Sequence, residues 1–204
     1  MAGLCRGAYE DHVRVETLRD RKKAAIADAL YRAAVRLAIA RGLEAVTVEA
    51  IADEAQVSRR TFSNYFANKE DALLHGDRAR LRRLLEELRA RPSSEAPWRA
   101  LRRSAAALFT DADEPDPHWV VQTRLIRRHP TVLAQQMAGH AAFEQDLAEE
   151  LRLRTGDPMR ARLLAAAFLA GLRVGVDVWI ERNGADPMGA QIDAALAGMA
   201  ERFA

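Results

Sequence analysis

The chain has 204 residues, 49% of them apolar and only 6% aromatic, and 31 Lys and Arg against 29 Asp and Glu leave a net charge of +2. That length allows a sizeable core, built as one extended helical unit or two small domains. A single cysteine, Cys5, excludes an intrachain disulfide, and the absence of a long apolar run or a signal-type N-terminus leads us to expect a soluble, cytoplasmic protein with no membrane partner.

The charge is uneven. Up to Arg91 there are 18 Lys and Arg against 14 Asp and Glu, and beyond it 13 against 15. Residues 1–18 show little periodicity and are expected to form a mobile extension carrying Cys5. Residues 20–41 then place Ile26, Leu30, Ala33 and Leu37 on one helical face. Arg21, Lys22 and Lys23 at its start are as compatible with a solvated helix entry as with phosphate contacts.

Residues 46–70, VTVEAIADEAQVSRRTFSNYFANKE, carry the strongest signal. Thr47 is placed to cap a helix with Glu49 in its first turn, and Val48, Ile51, Ala52 and Ala55 give that helix an apolar face. Gln56-Val57 reads as a turn that buries Val57, and Ser58 as the cap of a second helix. Phe62 and Phe66 point that helix into the core, while Arg59 and Ser63, and Arg60 and Asn64, share its outer face at spacings of four. Arginine can grip the two major-groove acceptors of guanine and asparagine can pair with adenine. Tyr65, Lys69 and the amide end at Thr47 are suited to phosphate oxygens.

Beyond this motif the pattern is helical throughout, with no strand-like alternation. A helix is expected from Lys69 to about residue 89, capped by Asn68 with Asp71 three residues on. The break R-P-S-S-E-A-P follows, then helices at 97–110 and 118–128 and a long one at 130–154 with a possible kink at Gly139. In T-G-D-P, Gly156 stops a helix, Asp157 caps the next and Pro158 starts it. N-G-A-D-P is expected to repeat this with Gly184, Asp186 and Pro187. The expected fold is therefore all-α with about nine helices: a three-helix helix-turn-helix DNA-binding domain at 19–67 and a helical ligand-binding and dimerisation domain at 68–204.

On the last two helices, Ala167, Gly171, Gly175 and Val178 form one stripe and Ile192, Leu196, Met199 and Phe203 another. These are expected to build a four-helix homodimer interface, with intramolecular core as the alternative. Trp119, Phe143, Phe168 and Trp179, with Leu101, Leu108 and Leu125, supply apolar bulk for a ligand pocket, with Arg124, Arg127, Arg128, His129 and His140 as candidate polar anchors, although each aromatic taken alone reads more readily as core and each arginine as a solvated or salt-bridged surface residue. No catalytic motif is present, and His129 and His140 would lie about 16 Å apart on a straight helix, too far to share a metal. No enzyme activity, cofactor or metal is expected.

The motif resembles the TetR family of transcriptional regulators over roughly residues 20–89, most specifically in V-T-V-E-A-I-A, V-S-R-R-T-F-S-N-Y-F and N-K-E-D-A-L. The resemblance implies a repressor that binds a near-palindromic double-stranded DNA operator as a homodimer. It assigns Arg59, Arg60, Thr61, Ser63, Asn64 and Tyr65 to the recognition helix and Thr47 and Lys69 to phosphates. It also implies a small-molecule effector held among the C-terminal helices, near Trp119, Arg124, Phe143 and Phe168, and dimerisation through the last two helices. Gln56 departs from the family's usual glycine, which costs about 1 kcal/mol if the turn is left-handed. Ser63 stands where an aromatic is common. The C-terminal half, in T-R-L-I-R-R-H-P-T-V-L and A-R-L-L-A-A-A-F-L-A-G-L-R-V, resembles the mycofactocin-associated subgroup, which implies an acyl-CoA-like effector. A DNA-binding dimer without an effector, whose C-terminal half serves only dimerisation or docking, is the alternative.

Overall fold

The computed structural model describes residues 18–109 and 118–203. The expected extension at 1–18, with Cys5, lies outside the described residues except for Leu18. Ten α-helices and one 3-10 turn are seen among the described residues: α1 (Leu18–Arg41), the 3-10 turn (Leu43–Ala45), α2 (Val48–Glu54), α3 (Arg59–Ser63), α4 (Lys69–Leu73), α5 (His75–Ala90), α6 (Pro97–Leu108), α7 (His118–Arg128), α8 (Pro130–Thr155), α9 (Pro158–Glu181) and α10 (Met188–Phe203). The helix expected from Lys69 is divided at Leu74, which is buried and ends α4 before α5 begins. α8 runs unbroken through Gly139.

The helix starts follow the expected chemistry. Ala50 N–H donates to Thr47 Oγ1 at 3.1 Å, Thr61 N–H to Ser58 Oγ at 3.0 Å and Asp71 N–H to Asn68 Oδ1 at 2.7 Å. Asp157 accepts from Met159 and Arg160 at the start of α9. Each such cap contributes about 1 kcal/mol. Gly156 ends α8 with φ 68°. At the end of α9 both Asn183 (φ 55°) and Gly184 (φ 71°) are left-handed, with Gly184 N–H bonded back to the Trp179 carbonyl and Asn183 N–H to that of Ile180. The Asp186 carboxylate takes the side chains of Arg182 and Gln191.

Two cores result. The N-terminal one gathers Leu30, Ala34 and Leu37 of α1, Ile51 of α2, Phe62 of α3 and Phe66 around the reading motif. It extends past the expected boundary at residue 67 to take in Ala72, Leu73 and Leu74, and it receives Ile126 of α7 and Val132 of α8. The C-terminal core packs Leu84 and Leu88 of α5, Trp98 and Leu101 of α6, Leu147 of α8 and Phe168 of α9 against Ile192 and Leu196 of α10. Arg154 stitches α8 to the end of α5 by donating to the carbonyls of Leu88, Arg91 and Pro92.

Two expectations are corrected by α9. A Cβ at Gly171 would lie 2.7 Å from Leu196 Cδ2, and one at Gly175 would lie 2.6 Å from the Ile192 Cα. Gly171, Gly175, Ile192 and Leu196 are thus buried in the crossing of α9 over α10 within one chain, as in the intramolecular alternative. Ala167, Val178 and Met199 are half-buried beside that crossing, and the Phe203 side chain lies outside the described residues. α9 is also long and apolar enough to cross a membrane by length and composition, contrary to expectation. Its inward residues Leu164, Ala165, Phe168, Trp179 and Ile180 are buried against the other helices.

Candidate functional site

The turn between α2 and α3 is a Schellman motif. Val57 N–H bonds to the Ala52 carbonyl at 2.9 Å and Gln56 N–H to that of Asp53 at 3.0 Å, which forces Gln56 to a φ of 56°. The left-handed turn is therefore present despite the missing glycine. Val57 is half-buried rather than fully covered.

This turn aims a short α3 outward. Phe62 and Phe66 are buried on one side, with ring centroids 5.8 Å apart. Arg59, Arg60, Ser63 and Asn64 stand exposed on the other, with Thr61 and Tyr65 half-buried at its margins. Asn64 ends the helix. Thr61 has a second task, since its hydroxyl shares a 2.9 Å hydrogen bond with Ser58 Oγ at the cap. Arg59 reaches back to Glu49 of α2 at 3.1 Å. Both ends of that pair are well exposed, so it contributes little stability and can be exchanged for a phosphate or a base edge.

Lys69 serves the scaffold. Its ammonium donates to the carbonyls of Leu43 and Val46 at 2.8 and 3.0 Å, closing the 3-10 turn onto α4. Two of its three N–H groups are thereby used, leaving one for a phosphate oxygen. Thr47 is occupied in the same way, its hydroxyl capping α2. Arg21, Lys22 and Lys23 are exposed on α1.

Three of the residues expected to line an effector pocket are engaged in packing or in hydrogen bonds between helices. Phe168 is fully buried, edge-on to Trp98, and Phe143 is buried in the same core. Arg124 donates to the Ile180 carbonyl and to Asn183 Oδ1, tying α7 to the end of α9. Trp119 sits in the first turn of α7, and its side chain lies outside the described residues. Between α5, α7, α8 and α9 lies a partly open cavity of about 380 Å³. Its apolar wall includes Leu81, Phe109, Ile126, Leu133, Leu169 and Leu172, and its polar lining Asp77, Arg80, Gln122, Arg127, His140, Arg173 and Asp177. Of these, sequence reasoning had marked only Arg127 and His140.

Several of the charges in this lining are paired. Arg127 binds Asp177, which also has Arg173 at 3.9 Å. His140 Nε2 lies 2.9 Å from Asp77 Oδ2, a hydrogen bond that raises its pKa against the opposing effect of burial. His75, at the junction of α4 and α5, behaves oppositely. It stacks edge-on to Phe66, and burial lowers its pKa although Asp28 lies 3.4 Å away. No sequence signal marks Asp77 with His140, 63 residues apart, as neighbours; only the crossing of α5 and α8 brings them together.

Comparison with known proteins gives consistent matches. Residues 30–75 match the model for bacterial regulatory proteins of the tetR family, and residues 95–204 match that of the MftR C-terminal domain. The chain is 32% identical over 179 residues to the HTH-type transcriptional regulator TcmR of Streptomyces glaucescens, covering 83% of this chain and 79% of that protein. In fold it resembles the fatty acid degradation regulator FadR of Bacillus halodurans (TM-score 0.59, 21% identity, 84% of this chain and 93% of that one). It also resembles FadR of Thermus thermophilus, a TetR-family repressor solved with lauroyl-CoA (TM-score 0.54, 22% identity, 87% and 95%).

Proposed function

Because the chain belongs to the TetR family of bacterial regulatory proteins, whose members are DNA-binding regulators and not enzymes, we propose that it is a homodimeric repressor released from its operator by a small apolar or acyl-CoA-like effector. The observation that carries this reading is the exposed face of Arg59, Arg60, Ser63 and Asn64 on a helix whose other face is locked into the core. Arg60 and Asn64 read base edges, and Arg59, Tyr65, Thr47 and the remaining N–H of Lys69 hold phosphates. Such a protein works in the cytoplasm, where the chromosome is.

Dimerisation uses the outer face of α9. Met159, Leu163, Ala166, Ala170 and Val174 recur there at spacings of four and three, and Met159, Leu163 and Val174 are 66%, 55% and 46% exposed. Ala194 and Gly198 are exposed on α10 and let a second helix come close. Two such helix pairs make a four-helix interface that spaces two reading heads for two half-sites.

The effector occupies the cavity between α5, α7, α8 and α9. Its volume falls in the usual range for small-ligand pockets, roughly 300–1,000 Å³. An apolar chain fits the leucine wall, and the excess of three arginines over two aspartates in the lining favours an anionic head. The effector releases DNA only through its preference for the conformation whose reading heads no longer match adjacent major grooves. Fluorescence anisotropy with DNA from immediately upstream of the chain's own gene, at fixed salt and with or without dodecanoyl-CoA, tests this. Tight binding weakened by the thioester supports the full reading. Tight binding that no acyl-CoA or other metabolite weakens favours a dimer without an effector.

A further inference from the structure

Tyr31 of α1 joins the DNA-reading domain to two walls of the cavity at once. Its hydroxyl donates to Gln122 Oε1 at 3.1 Å. Its ring lies so close to α5 that a Cβ at Gly76 would come within 2.6 Å of it. Gly76 precedes Asp77, the cavity residue that holds His140 at 2.9 Å and Gln136 at 3.3 Å. Gln122 is 4% exposed and lines the cavity from α7, and its Nε2 donates to the Leu73 carbonyl at 3.0 Å. One buried amide therefore bonds the first helix of the reading domain, the end of α4 and the cavity wall.

Ser104 and Gln122 are the buried residues with polar or charged side chains among the described residues. The Ser104 hydroxyl turns back to the Ala100 carbonyl of its own helix. Gln122, by contrast, connects separate elements. Its two bonds use opposite ends of one planar amide, so the side chain cannot turn toward a guest in the cavity without giving up both. A buried bond lost in this way leaves a donor or acceptor unsatisfied, which makes the arrangement two-state rather than graded.

We infer that Gln122 and Tyr31 are the coupling element of this regulator: occupancy of the cavity is transmitted to the reading helices through the Tyr31–Gln122–Leu73 bonds. The inference rests on the cavity being the effector site and adds the route by which it acts. A guest that displaces the Gln122 amide frees Tyr31 and the Leu73 carbonyl together, and α1 loses its fixed position on α4, α5 and α7. Coupling of this kind is reciprocal, so operator DNA, by fixing α1, must in turn tighten α7.

Hydrogen–deuterium exchange on the intact protein, with and without a saturating operator duplex selected from randomised DNA, tests the coupling without any effector. In the wild type, operator is expected to slow exchange in α7 and at the α4–α5 junction at least three-fold. Tyr31→Phe and Gln122→Met are expected to bind operator and keep their protection in α2 and α3 while losing that in α7. Val121→Ala, on the exposed side of the same helix, should retain it. If Gln122→Met fails to fold, Tyr31→Phe decides alone. Protection of α7 that persists in Tyr31→Phe, or that operator never induces in the wild type, would overturn the inference. Should dodecanoyl-CoA leave the wild-type operator complex intact, that result counts against the effector class, while the exchange result still decides the coupling.

Discussion

Gly175 and Ile192 meet so closely that a Cβ on the glycine would sit 2.6 Å from the isoleucine Cα, a backbone atom that cannot swing aside. The small residues of α9 therefore serve the crossing with α10 inside one chain. Gly175→Ala should lower the stability of the fold by about 1–3 kcal/mol through overpacking. Urea unfolding checks this, with Gly139→Ala in α8 as the control, since a Cβ at Gly139 meets nothing within 4 Å. Equal stability for the two variants would place the crossing elsewhere.

The dimer is expected to depend on the opposite face of α9. Leu163→Glu or Val174→Glu puts a charge on the exposed apolar stripe, where it is tolerated in a monomer and costly in an interface. Sedimentation should show the wild type as a dimer and either variant as a folded monomer. A variant that still sediments as a dimer would remove this stripe from the interface.

Gln56 holds a φ of 56° that favours glycine. Gln56→Gly should relieve about 1 kcal/mol of strain, offset in part by the greater freedom of glycine in the unfolded chain. A higher Tm with unchanged operator affinity is the expected outcome; a lower Tm would mean that the glutamine side chain makes a compensating contact.

The helix-turn-helix was legible because its signals are local. The caps at Thr47, Ser58 and Asn68, the Phe62–Phe66 pair and the outward Arg60 and Asn64 depend on spacings of three and four. The cavity was not legible, because its lining is chosen by how α5, α7, α8 and α9 cross. Phe143 and Phe168 carry the bulk a pocket needs, yet they fall on the sides of α8 and α9 that fill the core. Arg124 and Arg127 are three residues apart, but one reaches the end of α9 and the other lines the cavity. Periodicity showed the small stripe on α9 correctly and left open which helix it faces. Lys69 reads as a phosphate contact from its place beside the outer face and from its position in the family, whereas the carbonyls it holds, 23 and 26 residues earlier, depend on tertiary structure.

The two half-buried histidines, His75 and His140, give stability opposite pH dependences. Asp77 raises the His140 pKa, so this pair stabilises the fold fully below about pH 6.5 and its contribution is lost as pH rises through the folded-state value. Burial lowers the His75 pKa, so its contribution is complete above about pH 6.5 and is lost as pH falls through its folded-state value. His140→Gln should therefore cost more stability at pH 5.5 than at pH 8.5, and His75→Gln should narrow the loss of stability on acidification. Denaturant unfolding at the two pH values checks both signs.

The central claim is that α3 reads DNA sequence through Arg60 and Asn64. Selection from randomised duplex DNA, followed by binding of wild type and Arg60→Ala to the enriched site and to its scrambled counterpart at one salt concentration, tests it most directly. The account predicts enrichment of a near-palindrome by the wild type and a loss of about 1–3 kcal/mol of discrimination in Arg60→Ala, with binding to scrambled DNA much less affected. Enrichment of no common site, or a variant that discriminates as well as the wild type, would contradict it.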